Sequence, residues 1–128
     1  VQRPRDLAGA LQAAKQAGME AINVGASPLL SSMYRSIVDF TAANGLPAIY
    51  QWKEHAVSGG LASYGAGLAE MWRETGLLVA KLLRGANPAE LPIRQPTKFE
   101  LVLNLATAKA LRLTLAPSLL IPADEVIE

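Results

Sequence analysis

Residues 20–55 read EAINVGASPLLSSMYRSIVDFTAANGLPAIYQWKEH. Their pattern predicts one β-α-β unit: an apolar strand over 21–24, a turn over 25–27, a long amphipathic helix from Pro28 to about Asn44, and a second strand over 47–52. Parallel strands joined by a helix leave their carboxyl ends on one edge of the sheet, where open α/β sheets bind ligands. The turns at 25–27 and 52–55 therefore mark the edge where a site is expected.

The rest of the chain shows the same alternation of helical and strand periodicities. The strand over 21–24 is too uniformly apolar to suggest an exposed edge. Before the β-α-β unit we predict a helix from Pro4 that ends at Gly18. After it we predict a polar loop over 53–60, a short strand over 61–64, a helix from Leu68 to Gly85 and an extended connector over 87–96. The chain then continues with a strand over 98–104, a helix capped by Asn104 and running through Leu111, a helical turn from Pro117, and an acidic end over 123–128.

The composition excludes several classes of site. Twelve basic and eleven acidic residues give a net charge of +1, with no block of like charge, so neither nucleic acid nor an anionic membrane is an expected partner. The absence of cysteine excludes disulfides, thiolate metal sites and cysteine nucleophiles. The apolar runs are far shorter than the roughly 20 residues that a membrane span needs. We predict no metal and no cofactor.

Two glycine-containing turns resemble catalytic or nucleotide-binding motifs but depart from them. The turn at Ser27 lies where a G-x-S-x-G nucleophile would lie, yet Leu29 replaces the final glycine, and we favour a helix cap. Gly65-Ala66-Gly67 supplies two glycines of a dinucleotide fingerprint, but the third position is Glu70, which would repel a pyrophosphate. No catalytic set is readable, so the sequence favours binding over catalysis and predicts that the chain is not an enzyme.

The candidate ligand contacts lie on the predicted edge. The backbone amides that follow Ser27 suit an anionic group. Trp52 is equally compatible with a core anchor and a cleft wall, and Lys53 and Glu54 are loop residues that a polar ligand could reach. His55 is the only histidine, and we expect it to be a solvated loop residue.

Several segments resemble a known family. They are the run over 94–111 with its Gln95-Pro96-Thr97-Lys98-Phe99-Glu100 motif, the runs over 113–120 and 123–128, Leu46-Pro47-Ala48-Ile49-Tyr50, Gly59-Gly60-Leu61, Ser63-Tyr64-Gly65, and Gly85-Ala86-Asn87-Pro88-Ala89-Glu90-Leu91-Pro92. Together they are similar to ABC-transporter substrate-binding proteins, and the likeness covers essentially the whole chain.

The resemblance implies an α/β fold: a Rossmann-like three-layer lobe with a mostly parallel sheet, part of a type I periplasmic binding-protein fold. Full-length members are more than twice as long, so we expect a C-terminal portion in which 1–62 belong to the second lobe, 63–104 form the hinge crossing and a segment of the first lobe, and 105–128 form a C-terminal helical segment. By resemblance, Tyr64 and Gly65 lie at the hinge beside the cleft. The predicted ligand-binding residues are Ser27, Leu29, Trp52, Lys53, Glu54, Tyr64 and Gly65.

The function implied is binding of a small solute, such as an amino acid, in an interlobe cleft, for delivery to an inner-membrane ABC permease. The family implies a periplasmic or lipid-anchored extracytoplasmic location. A ligand-sensing regulatory domain of the same fold is the alternative. Ser27 stands where relatives often have aspartate, which leaves the solute open, and Arg112 stands where glycine is expected. A lobe cut in this way exposes apolar surface, so we also expect the chain to self-associate.

Overall fold

Five short strands form a single sheet in the order β1-β2-β3-β4-β5, in a computed structural model that describes all residues, 1–128. The strands are β1 Ile22–Asn23, β2 Ala48–Tyr50, β3 Ala62–Ala66, β4 Phe99–Asn104 and β5 Glu125–Ile127. β1, β2 and β3 are parallel, β4 is antiparallel to β3, and β5 is parallel to β4. The predicted α/β class with a mostly parallel sheet is confirmed.

Seven α-helices and one 3₁₀ turn connect these strands. They are α1 Asp6–Gln16, α2 Pro28–Ser32, α3 Tyr34–Ala43, α4 Lys53–Val57, α5 Leu68–Leu83, the 3₁₀ turn Pro88–Glu90, α6 Leu105–Ala110 and α7 Pro117–Leu120. None of the helices combines the length and the apolar character needed to cross a membrane.

The main core packs α1 and α3 against one face of β1 and β2. Leu7 and Leu11 of α1 meet Ile37 and Val38 of α3 there, together with Val24, Ala48 and Tyr50. Side chains alternate along a strand, so the residue between Ala48 and Tyr50 points to the opposite face. That residue, Ile49, is 38% exposed, and the sheet is therefore open to solvent on this second side.

Helix α5 makes few contacts with the rest of the chain, and none of its sixteen residues is buried. It nevertheless has an apolar stripe at helical spacing, and several of its large side chains are exposed, including Met71, Trp72, Val79 and Leu82. Most of the stripe that predicted the helix is therefore left uncovered by the rest of the chain.

Two predictions about helices are wrong. The helix expected from Pro28 to Asn44 is interrupted at Met33, whose φ of −111° and ψ of 13° end α2 before α3 begins. The polar loop predicted over 53–60 contains helix α4, which forms because Ala56 and His55 are buried against the sheet. Five residues are too few for the periodicity to reveal a helix in advance.

Two predictions about strands are also wrong. The strand over 21–24 was not expected to lie at an exposed edge, yet β1 is the last strand of the sheet and pairs only with β2. The acidic end over 123–128 contains β5, which pairs with Val102, Leu103 and Asn104 of β4. Three residues of mixed polarity give no strand signal on their own, and the long-range pairing defines this strand.

Candidate functional site

A cleft of about 420 Å³ opens at the carboxyl ends of β1 and β2, beside the residues that leave the sheet for α5. Its walls come from β1 and the turn after it, the end of β2, the end of β3 and the first turn of α5. Pro96 and Phe99, where the chain enters β4, complete them. The lining residues are Asn23, Val24, Gly25, Ala26, Ile49, Tyr50, Gln51, Tyr64, Gly65, Ala66, Met71, Pro96 and Phe99. The cleft thus lies on the edge of the sheet that the β-α-β pattern predicted.

A stacked pair of aromatic rings forms one wall of this cleft. The centroids of the Tyr64 and Phe99 rings are 5.8 Å apart and the ring planes differ by 25°. The pairing of Ala66 with Phe99 and of Tyr64 with Leu101 places both rings on the same face of adjacent antiparallel strands. Tyr64 is 57% exposed and Phe99 50% exposed, so about half of each side chain remains accessible to a ligand.

The backbones of β2 and β3 approach closely at the floor of the cleft. A Cβ atom at Gly65 would lie 2.2 Å from the carbonyl oxygen of Gln51 and 3.2 Å from its Cγ atom. Only a residue without a side chain fits at this point. Gly65 therefore allows Gln51 to lie directly against β3 at the edge of the cleft.

The lining contains no aspartate, glutamate, lysine, arginine or histidine. Its accessible polar side chains are the amides of Asn23 and Gln51 and the hydroxyl of Tyr64, because Tyr50 is only 2% exposed. The Tyr50 hydroxyl lies 3.3 Å from Thr41 Oγ1, inside the core. Burial raises the pKa of Tyr50, so its phenol stays protonated at neutral pH. The cleft is thus an apolar and aromatic surface with a few neutral polar groups.

Of the residues predicted from the sequence, Tyr64 and Gly65 line the cleft and the other five do not. Ser27 follows the lining residue Ala26 and has an extended backbone before α2, but its side chain makes no capping hydrogen bond. Its carbonyl oxygen accepts a hydrogen bond from Ser31 N–H at 2.8 Å. Leu29, two residues further along, is half-buried. The hydroxyl cap predicted at Ser27 is therefore wrong.

The residues of the second predicted turn do not line the cleft. Lys53 forms an ion pair with Glu125 of β5, and this hydrogen bond raises the pKa of its amine. Glu54 is exposed on α4. Trp52 is half-buried, and its carbonyl oxygen accepts a hydrogen bond from His55 N–H at 3.0 Å. Folding of residues 53–57 into α4 turns these side chains away from the cleft.

The prediction that His55 is a solvated loop residue is wrong. His55 is only 5% exposed, and its ring stacks on Tyr34 with centroids 4.6 Å apart. The Tyr50 ring approaches it edge-on at 5.6 Å. Burial lowers the pKa of the imidazole, and its Nδ1 atom has no hydrogen-bond partner in the protein. His55 is thus a neutral side chain packed directly behind Tyr50, which is itself a cleft residue.

The sequence did not identify four prominent lining residues. Asn23 and Gln51 lie in or at the ends of the predicted strands, whereas the prediction relied on the turns that follow them. Phe99 reaches the cleft only through the antiparallel pairing of β3 with β4, and Met71 only through the start of α5. The strand alternation over 98–104 was the available signal for Phe99, but it does not reveal which strand β4 pairs with.

Comparison with known proteins gives a family and a fold. Residues 1–127 match the family model described as ABC transporter substrate binding protein. No curated protein matches the sequence significantly.

Three solved structures are similar to this chain. A conserved domain protein from Vibrio cholerae O1 biovar El Tor has a TM-score of 0.90 and 21% identity, over 98% of this chain and 42% of that one. An ABC domain from Streptococcus pneumonia, in complex with L-Trp, has a TM-score of 0.90 and 24% identity, over 99% of this chain and 44% of that one. CD0873 from Clostridium difficile, a substrate binding protein with adhesive properties, in a ligand-free, open structure, has a TM-score of 0.63 and 16% identity, over 99% and 42%.

At these identities the structural likeness concerns the fold. The chain spans 42–44% of the length of these structures.

Proposed function

Since this chain belongs to the family of ABC transporter substrate-binding proteins, we propose that it supplies one wall of a cleft that binds a small solute for delivery to the transporter's permease. The observation that carries the proposal is the stacked pair of Tyr64 and Phe99, which is half-exposed in a cleft at the carboxyl ends of parallel strands. Ligand sites in open α/β sheets favour this position. The activity lies outside the cytoplasm, in keeping with the family, and involves no chemical step.

The exposed aromatic pair favours a solute with a flat apolar body. Burial of apolar surface yields about 25 cal/mol per Å², and aromatic contacts with good geometry add about 0.5–1.5 kcal/mol. An amino acid with a ring in its side chain fits this wall, and the pneumococcal structure of the same fold holds L-Trp. Met71 and Pro96 extend the apolar surface beyond the two rings.

Among the residues predicted from the sequence, Tyr64 and Gly65 carry the proposal most directly. Tyr64 provides the ring, and Gly65 provides the space for β2 and β3 to meet. Ser27, next to the lining residue Ala26, offers backbone contacts at the rim, with Leu29 and Trp52 further out. Lys53 and Glu54 take the most distant positions, since Lys53 is already paired with Glu125.

We also propose the division of the chain that the resemblance implies. Residues 1–62 belong to the second lobe, 63–104 form the hinge crossing and a segment of the first lobe, and 105–128 form a C-terminal helical segment. The lack of any buried residue in α5 supports this division, since an amphipathic helix of sixteen residues normally packs its stripe against another element.

The bare stripe of α5 leads us to propose that the isolated chain self-associates. Sedimentation velocity at micromolar concentration should show a dimer or a larger species. Val79→Glu on the exposed stripe should shift the chain toward monomer. Lys81→Gln, which changes the charge equally about 200° around the helix, should leave the association unchanged. A monomeric wild-type chain would contradict the proposal.

Thermal denaturation in the presence of candidate solutes tests the proposed function. A solute that binds only the folded chain at a hundredfold excess over its dissociation constant adds about 2.7 kcal/mol of stability. We expect aromatic amino acids to raise the melting temperature, and Tyr64→Ala to remove the shift. Leu83→Ala, a truncation of a fully accessible side chain away from the cleft, should retain it. Equal shifts in the wild type and Tyr64→Ala would exclude this wall as the binding surface.

A further inference from the structure

We infer that the side-chain amides of Asn23 and Gln51 select the solute, and that this half of the cleft recognises an uncharged ring bearing a polar N–H or O–H group. The inference rests on the proposed function and specifies the chemistry of the same site. It starts from three observations: the lining has no charged side chain, its two amides have no hydrogen-bond partners in the protein, and Gln51 lies against Gly65, the neighbour of Tyr64 in the aromatic pair.

Both amides are free to bind. Each carries two N–H donors and a carbonyl acceptor, yet neither side chain makes a hydrogen bond within the protein, whereas Asn44 and Asn104 both do. The two residues lie at the carboxyl ends of adjacent parallel strands, because Asn23 pairs with Ile49, two residues before Gln51. They therefore offer donors and acceptors side by side at the mouth of the cleft.

Gln51 is the more firmly positioned of the two. The close approach of Gly65 to its carbonyl oxygen fixes its backbone, and its Cγ lies 3.2 Å from the place of a Cβ on Gly65. The Gln51 side chain therefore lies against Gly65 of β3, and Gly65 directly follows Tyr64 in that strand. A ring that stacks on Tyr64 has its edge within the region that the Gln51 amide can reach.

The absence of charge from the lining indicates which part of a ligand this wall receives. A carboxylate or ammonium group that enters an apolar cleft loses hydration, and this costs several kcal/mol unless a counter-ion meets it. No residue of this cleft supplies a counter-ion. Neutral amides satisfy a neutral N–H or O–H group instead, and a ring that lacks this group loses the hydrogen bond and binds more weakly.

Side-chain NH₂ signals of a ¹⁵N-labelled chain test the inference directly. The probes are indole, 1-methylindole, which lacks the N–H donor, and L-tryptophan, which adds both charges. Indole should shift the side-chain NH₂ signals of Asn23 and Gln51 together with the ring signals of Tyr64 and Phe99. Loss of one hydrogen bond should weaken 1-methylindole about three- to tenfold relative to indole. L-Tryptophan should bind no more tightly than indole, because its two charges meet no counter-ion on this wall.

Substitutions of the two amides test whether they select the ligand. Gln51→Leu and Asn23→Leu should each reduce the preference for indole over 1-methylindole, and the double variant should abolish it while the ring signals of Tyr64 still respond. Lys109→Met removes an exposed charge on α6, away from the cleft, and should leave both affinities unchanged. The exposed position of Asn23 and the unpartnered side chain of Gln51 make these variants compatible with the fold.

Each contrary result has a distinct meaning. If the rings of Tyr64 and Phe99 respond but the amides do not, or if L-tryptophan binds more than tenfold tighter than indole, the inference is wrong while the proposed function stands. If none of the three probes shifts any cleft signal, the proposed binding surface fails and the inference fails with it.

Discussion

Replacement of Gly65 by alanine tests whether the close contact between β2 and β3 is required for folding. A Cβ at this position would lie 2.2 Å from the backbone oxygen of Gln51, whereas ordinary van der Waals contact begins at 3.4 Å. The atom it meets belongs to the backbone, so no side-chain rotation relieves the clash. One strand must move by roughly 1 Å or more, and overpacking of this kind costs typically 1–3 kcal/mol.

We expect Gly65→Ala to lower the free energy of unfolding by about 3 kcal/mol, the upper end of that range. For a domain of this size, each kcal/mol corresponds to about 3–6 °C in melting temperature. Urea denaturation followed by circular dichroism measures the loss. The slope of the transition should be unchanged, because the clash alters stability and not the surface exposed on unfolding.

Two other glycines provide matched comparisons. Gly67→Ala places its Cβ 3.2 Å from Glu100 Oε1, the end of a flexible side chain, and should cost little. Gly9→Ala has no atom within 4 Å and lies inside α1, so it should stabilise the chain by about 0.5–1 kcal/mol. If Gly65→Ala proves as stable as the wild type while Gly9→Ala behaves as expected, the close contact at the cleft floor is refuted.

Three further variants probe single interactions. Burial lowers the pKa of His55 below its ordinary 6.5, so the unfolded chain takes up the proton first as the pH falls through 6.5. The stability of the fold should therefore decline below that pH, and His55→Phe should remove this decline in melting curves between pH 7.5 and 5. Arg112 has a φ of 57°, which costs a non-glycine residue about 1–2 kcal/mol, so Arg112→Gly should raise the urea midpoint by about 1 kcal/mol of stability, and a lower midpoint would contradict this. Buried Asn104 accepts a hydrogen bond from Thr107 N–H at 2.9 Å and donates one to the Ala56 carbonyl at 3.0 Å. Asn104→Ala should lower the free energy of unfolding by about 2–3 kcal/mol. A decrease below about 0.5 kcal/mol by the same assay would show that neither bond contributes to stability.

Where an element carries its own signal, the sequence predicts it well. The cap at Asn104, the proline start of α7 and the glycine end of α1 depend on residues next to the element, and each lies where it was expected. Helix α4 and strand β5 depend instead on contacts with distant strands, and neither is long enough to show a period of its own. Burial of Ala56 and pairing of Val126 with Leu103 define them, and the sequence does not display either contact.

The residues of the candidate site also include some that local sequence patterns predict and some that only long-range contacts define. The β-α-β rule predicts the edge of the sheet, and the resemblance predicts Tyr64 and Gly65. The partners of those residues come from separate parts of the chain: Phe99 through an antiparallel pairing, and Gln51 through a backbone contact that only a glycine allows. Lys53 and Glu54 were expected at the same edge, but both lie in the first turn of α4, where Lys53 pairs with Glu125 of β5 and Glu54 is exposed. Periodicity does not reveal a helix this short.

The most direct test of the central claim is the position of a bound solute, measured by intermolecular nuclear Overhauser effects between an aromatic amino acid and the protein. We predict contacts from the ring protons of the solute to the rings of Tyr64 and Phe99 and to the methyl group of Met71. Contacts confined to the turn at Ser27 or to Trp52 and α4, with none to the aromatic pair, would contradict a binding surface at the carboxyl ends of β1, β2 and β3.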